Sequence, residues 1–210
     1  MVYDIATNDC ATAIKNITGN NKIDLVVISH PDADHYRGFK KAFSPASLGG
    51  LGLKANELLD TGIIRFYKDG AVTSTYSKYI TAKANIPTVR SLNNPQVSKE
   101  YQVGKQWGFG DSTVTFIHGH GQVNGQNSRT DPTSHDRNGA SIALKVEYGD
   151  NSILLTGDAV GVKKNDPYGK HCIRTEKRIL QSCSSPKGTC GDMNIDVMIT
   201  PPPRLTRVPV

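Results

Sequence analysis

No apolar stretch in this sequence is long enough to cross a bilayer, and no basic segment followed by an apolar run opens it at Met1-Val-Tyr-Asp-Ile-Ala. We therefore expect neither a membrane segment nor a secretory leader in this chain. The cytoplasm is the default compartment, and secretion would need a signal ahead of Met1. Cysteine is scarce as well: Cys10, Cys172, Cys183 and Cys190 contain no Cys-x-x-Cys pair, the spacing of a thiolate structural zinc site. Cys183 and Cys190 bracket Ser-Ser-Pro-Lys-Gly-Thr, a loop that a disulfide would close in an oxidising compartment, with reduced thiols as the alternative. No internal repeat is evident. What is present is ordinary: 210 residues, 37% hydrophobic and 21% charged, with mean hydropathy -0.41. That is one domain's length, with enough apolar residues for a sizeable core. A net charge of +6 and a pI of about 9.1 permit an anionic partner without requiring one.

The informative stretch runs from Ile23 to His35, Ile-Asp-Leu-Val-Val-Ile-Ser-His-Pro-Asp-Ala-Asp-His. The run Leu25 to Ile28 is short and rich in β-branched residues, so it reads as a buried central strand. Pro31 biases His30 to extended geometry, where residues i and i+2 share a side. His30 and Asp32 can therefore face one point. Asp34 and His35 follow at the start of a short helix through Tyr36 to Phe39, which aims them elsewhere. Four ligand-type side chains within six residues, on two sides of a turn, suit two metal ions side by side.

His-Pro-Asp-Ala-Asp-His followed by Tyr-Arg-Gly-Phe resembles the metal motif of the metallo-β-lactamase superfamily, usually His-x-His-x-Asp-His, with Asp32 in place of the second His. With Ser29 before the motif and a glycine after it, the segment is similar to the soluble domain of the ComEC-type DNA-uptake proteins. Further along, Leu154-Leu-Thr-Gly-Asp158 resembles the segment that supplies the bridging ligand. Asn138 matches an Asn of the DNA-uptake branch, while Arg137 stands where many members carry a third metal-binding His. His135 is a surrogate whose spacing argues against it. Tyr3-Asp4-Ile5-Ala6 resembles an early Asp-x-Gly beside the site, with Ala6 replacing the glycine.

The resemblance implies an α/β fold, a metallo-β-lactamase-like αββα sandwich over residues 1–200. It also implies an incomplete one. Relatives have a strand pair ahead of Tyr3, and continue after the last strand with Pro-His-His-Gly-Ser. Here the sequence reads Pro201-Pro202-Pro203-Arg204-Leu205 and ends at Val210. Codons CCA CCA CGG CTC, read one base along, give His-His-Gly, so residues 201–210 are expected to be an aberrant, frameshifted tail.

In order along the chain, we expect a strand at Val2–Ile5, a helix at Ala11–Ile17, loop from Lys40 to Gly52 and a short helix at Lys54–Leu59. Then come a strand at Thr61–Tyr67, a helix at Ser74–Lys83, and an antiparallel pair at Gln102–Trp107 and Ser112–Ile117. A hairpin follows, its first strand opening at Asn138–Leu144 and its second running over Ser152–Thr156. A helix at Cys172–Ser182 and a strand at Ile195–Ile199 complete the pattern. His118 and His120 share a strand face and are read as structural rather than as ligands.

By the resemblance, His30, Asp32, Asp34, His35 and Asp158 hold two divalent ions, Zn²⁺ or Mn²⁺, with Asp158 between them, roughly 3.5–4 Å apart as in two-metal hydrolases. The carboxylate of Asp32 makes the site harder, which favours Mn²⁺ as a rival to Zn²⁺. Asp34 and Asp158 would serve catalysis by a metal-bound hydroxide. Asn138 would hydrogen-bond a substrate oxygen or, alternatively, cap its loop, and Lys40 and Lys41 would meet a substrate phosphate or stand as solvated helix-face residues; the substrate would be a nucleic acid or other phosphodiester. The alternatives are hydrolysis of a small ester, lactone or lactam, and a non-catalytic fragment.

Overall fold

The computed structural model describes residues 1–67, 70–119, 134–159, 179 and 196–199. Its first sheet is assembled from β1 (Val2–Tyr3), β2 (Lys22–Ile28), β3 (Lys54–Asp60) and β4 (Thr88–Ser91), in that order and parallel throughout. Helices α1 (Asn8–Thr18), α2 (Ala33–Tyr36), α3 (Phe39–Phe43) and α4 (Ser74–Lys83) make the connections, and α5 (Pro95–Glu100) leads out of the sheet. Local chemistry sets these boundaries. Thr7 caps α1 by accepting from the Cys10 amide at 3.2 Å, and the helix stops at Gly19, whose φ of 57° is left-handed.

The second sheet contains β5 (Gln106–Phe109) and β6 (Ser112–His118), then, after α6 (Ser134–Gly139), the hairpin β7 (Ala143–Tyr148) and β8 (Asn151–Leu155), and last β9 (Val197–Ile199). Its pairs are antiparallel except β8 with β9.

Alternation along the strands sorts the side chains into layers. Val26, Ile28 and Leu58 face Ala11, Phe39, Phe43, Tyr76 and Tyr79, so helices cover one side of the first sheet. Leu25, Val27 and Leu59 point the other way and meet Val114, Phe116 and Leu144 of the second sheet. On the far side of that sheet, Ile117, Ala143 and Leu154 pack with Ile179, which is helical. The described order is helix, sheet, sheet, with the helical Ile179 on the outer face of the second sheet, in keeping with the αββα sandwich expected. Each large aliphatic side chain buried between the sheets contributes about 1.5–3 kcal/mol.

Several elements differ from expectation. Lys54–Leu59 is strand, not helix: its Lys, Ala, Glu and Leu favour a helix locally, but parallel pairing to both β2 and β4 and burial of Leu58 and Leu59 override that preference. Thr61–Tyr67 is not a regular strand; it carries one isolated bridge, Phe66 to Val72. The chain bends at Gly62, where φ is 72° and the Asn93 side chain donates to the Gly62 carbonyl at 2.9 Å. Within the expected Lys40–Gly52 loop, residues to Phe43 finish α3 and Ala46–Leu48 form a 3₁₀ turn. β4 and α5 were not anticipated. The strand expected from Gln102 begins at Gln106, and the one expected to open at Asn138 begins at Ala143, because α6 continues through Gly139. Of the Cys172–Ser182 helix only Ile179 is described; His120, the Cys183–Cys190 loop and the 201–210 tail lie outside the described residues, and so does the His135 side chain. No helix among the described residues is long and apolar enough to cross a membrane.

Candidate metal centre

The parallel strands β1 and β2 end side by side, and the site is built on their carboxyl ends. Asp4 follows β1 in a left-handed conformation, φ 57°. Its carboxylate accepts from the Ser29 amide and hydroxyl, both at 2.7 Å, and meets His35 Nδ1 at 2.7 Å. One side chain thus ties the end of β1 to the end of β2 and to the helix turn beyond. Because Nδ1 of His35 is engaged by Asp4, Nε2 is the nitrogen left to face the site. It lies 3.2 Å from Asp158 Oδ1.

His30, wholly buried, sits at the end of β2 with its ring centroid 4.1 Å from that of His35. Its Nδ1 lies 3.1 Å from Ser29 Oγ. Its Nε2 is buried, has no hydrogen-bond partner, and stands 3.9 Å from both Asp32 Oδ2 and Asp158 Oδ2.

Asp158 arrives from the second sheet, just after β8. Gly157 lets it approach: φ is 54°, and a Cβ there would stand 2.8 Å from Ser29 Cβ and 3.1 Å from Ser141 Cβ. The Asp158 amide donates to Ser141 Oγ at 3.2 Å, while the Ile142 amide donates to the Ser29 carbonyl at 2.9 Å and Tyr3 OH to the Ile142 carbonyl at 2.6 Å. These bonds lock the two sheets together at the site.

The histidines are electrostatically unlike. Burial works against the charged form of His35, but the hydrogen bonds its ring donates to the Asp158 and Asp4 carboxylates outweigh it and raise the imidazole to about 10. His30 moves down, first through burial and then through the neighbouring charge of His35. The two shifts are of opposite direction, so without a metal the positive charge of the pair is favoured on His35.

His30, His35 and Asp158 each offer a ligand atom, and these atoms lie within 4.8 Å of one another. Two imidazoles and a carboxylate suit a divalent transition ion, and the unpartnered Nε2 of His30 is the buried polar atom such an ion would satisfy. The residues fit a metal. Of the other residues expected at the site, Asp32 is next to His30, with its Oδ1 2.6 Å from Arg137 Nε and 3.6 Å from Arg65 Nε. Asp34 is exposed in α2 and lies outside the group of three. Asn138 is buried, its Nδ2 3.5 Å from Asp158 Oδ2 and its Oδ1 without a hydrogen-bond partner. Lys40 and Lys41 line a cleft of about 420 Å³ together with Arg37, Lys78 and Tyr36, the residue after His35. His118 is buried, with Nδ1 3.0 Å from the Ser141 carbonyl, at the foot of the segment that holds Asp158.

Asp4, Ser29, Arg65 and Arg137 were not singled out as site residues from the sequence. For Asp4 the signal was its position at a strand end in the resemblance. Arg137 was marked only by the absence of a histidine.

No protein-family model matches this sequence, and no curated protein matches it. Among solved structures it is similar to the metallo-β-lactamase fold protein YhfI from Bacillus subtilis, with 12% identity over 77% of this chain and 51% of that one and a TM-score of 0.38. It is also similar to a possible metal-dependent hydrolase from Veillonella parvula, with 14% identity over 71% of this chain and 44% of that one and a TM-score of 0.32. The chain spans about half the length of these two proteins.

Proposed function

We propose that this chain is a metal-dependent hydrolase of the metallo-β-lactamase type, acting on phosphodiesters and most readily on nucleic acid. The observation that carries this reading is the meeting of His30 and His35 with Asp158, which comes from the other sheet, around a buried imidazole nitrogen that has no hydrogen-bond partner among the described residues. A bound divalent ion would lower the pKa of a water and polarise a phosphoryl oxygen. The chain's own residues do the rest. Asp4 fixes the ring of His35, and Ser29 Oγ, 3.1 Å from His30 Nδ1, steadies the other ring. Asn138 presents an amide within reach of Asp158 and an acceptor oxygen that has no partner, which suits a role in positioning substrate.

The phosphodiester preference is supported by a basic cleft that none of His30, His35 and Asp158 lines but that takes in Tyr36, the residue after His35. Arg37, Lys40, Lys41 and Lys78 line it, and among the described residues no carboxylate lines it and none of the four pairs with one. Lys41 Nζ donates to the Gly49 carbonyl at 3.0 Å. Four cations along one cleft match a phosphate backbone better than a neutral lactam or ester.

The test is cleavage of single-stranded DNA by the purified chain with Mn²⁺ or Zn²⁺ and with chelator, against a parallel panel of esters, lactones and lactams. We expect metal-dependent cleavage of DNA. Asp158→Ala should lower it by more than about 100-fold, since loss of outer-shell partners alone costs about 10–100-fold. Turnover of a small ester or lactam with intact DNA would replace the phosphodiester reading, and equal DNA cleavage by the variant would end it.

A further inference from the structure

The hydroxyl of Ser29 has more neighbours than it has hydrogens. It lies 2.7 Å from Asp4 Oδ2, 3.1 Å from His30 Nδ1 and 3.3 Å from His35 Nδ1. A serine offers one hydrogen and two lone pairs, whereas an ionised carboxylate only accepts. The Ser29 hydrogen therefore points at Asp4. Ser29 and His30 are both wholly buried, so bulk water does not enter this accounting. Having given its hydrogen to Asp4, Ser29 Oγ can only accept from the rings beside it. His30 Nδ1 must then carry a hydrogen, and a neutral imidazole has just one. That puts the lone pair of His30 on Nε2, the buried atom that stands 3.9 Å from Asp32 Oδ2 and Asp158 Oδ2 and has no hydrogen-bond partner among the described residues. His35 is set without an intermediary, because its Nδ1 donates to Asp4 Oδ2 at 2.7 Å.

We propose that Ser29 is a positioning residue of the candidate metal centre, a relay through which the Asp4 carboxylate sets the tautomer of His30, a ring with which Asp4 shares no hydrogen bond. The inference rests on the metal-dependent reading above and deepens it. One carboxylate governs both imidazoles, His35 by direct contact and His30 through one hydroxyl. His30 Nε2 then serves as a ligand without giving up a proton. With the relay inverted, the same nitrogen would carry a hydrogen and be closed to a metal.

The experiment reads the ring nitrogens directly. Nitrogen-15 NMR of the full chain, with chelator and at about pH 8, above the usual histidine range, locates the hydrogen of a neutral imidazole. We expect it on Nδ1 of His30. A hydrogen on His30 Nε2 in the wild-type chain would overturn the relay and leave the metal-dependent reading in place. The expected tautomer in a chain that takes up no Zn²⁺ would end that reading with the relay intact. Asp4→Asn keeps the side-chain shape and reverses one partner. The Ser29 amide still requires an oxygen at the Oδ1 position, so the new amide nitrogen falls where Oδ2 was. It donates to Ser29 Oγ, Ser29 turns its hydrogen to His30 Nδ1, and the His30 hydrogen moves to Nε2. Zn²⁺ affinity, measured by isothermal titration, should fall about 10–100-fold, the range for lost outer-shell partners. In a Ser29→Ala background, Asp4→Asn should no longer move the His30 hydrogen; an equal shift with and without Ser29 would overturn the relay. Should Asp4→Asn fail to fold by circular dichroism, Ser29→Ala alone decides. It should mix the two His30 tautomers, and a ring that stays wholly in the Nδ1–H form would overturn the inference.

Discussion

Asp4 and Asp32 are both carboxylates at the ends of strands in the same parallel sheet, and both lie beside a histidine of the site, but they do opposite things. Asp4 spends its oxygens on Ser29 and on His35 Nδ1, so its charge orients a metal-facing ring. Asp32 spends one oxygen on Arg137 and Arg65, so its charge is met from α6 and from the loop after β3. Two carboxylates next to histidines of one site thus differ in the partners of their oxygens: a serine and an imidazole for Asp4, guanidiniums for Asp32. Asp4→Ala is the most severe way to break this contrast after loss of Asp158 itself. It frees His35 Nδ1 and leaves the Ser29 amide unpaired, and should weaken Mn²⁺ or Zn²⁺ binding about 10–100-fold in isothermal titration. An unchanged affinity would mean that His35 is held by packing rather than by Asp4.

Gly157→Ala tests the same geometry from the second sheet. The left-handed φ and the 2.8 Å approach to Ser29 leave no room for a methyl group unless the strand ends separate. We expect a loss of about 1–3 kcal/mol in chemical denaturation, the usual range for a strained non-glycine position, together with weaker metal binding because Asp158 is displaced. A stability loss with unaltered metal binding would separate the fold at this point from the site.

Much of this architecture was legible in the sequence, and the limits were physical. The run before His30 could only be a buried strand, and the order of His30, His35 and Asp158 along the chain carried the resemblance on which the site was drawn. Strand β3 was not legible, because Lys54 to Leu59 prefers a helix and becomes a strand only when flanked by β2 and β4. The Arg137–Asp32 pair was hidden for a different reason: its members are 105 residues apart, and neither side chain advertises a partner. Asp4 lay between these cases, visible as a strand-end acid but with no sign that His35 would receive it.

Protonation offers a milder test of the contrast between the two histidines. In the metal-free chain, the His35 pKa is raised from the usual 6.5 to about 10. Its contribution to stability is then fully present below about pH 6.5 and lost as pH rises through about 10. His30 has the opposite sign: held neutral by burial, it favours the folded state above its unfolded pKa and costs stability as pH falls below it. Denaturation midpoints with chelator present should therefore decline from pH 7 toward pH 10, and more gently below pH 6. His35→Gln should flatten the alkaline decline, and a decline that survives it would place the proton elsewhere.

The smallest effect is expected in the basic cleft. Lys40 is exposed, and Lys41 keeps one hydrogen bond to Gly49, so replacing both by alanine removes charge with little loss of packing. If these lysines contact phosphates, the salt dependence of single-stranded DNA binding should fall by about 0.7 in log–log slope for each contact removed. Affinity should drop several-fold at low salt while metal content holds at the wild-type value. Because Arg37 and Lys78 remain in the same cleft, the residual slope should not vanish until they too are replaced. A slope indifferent to all four would detach the cleft from the substrate and leave the metal centre to be explained by a different ligand.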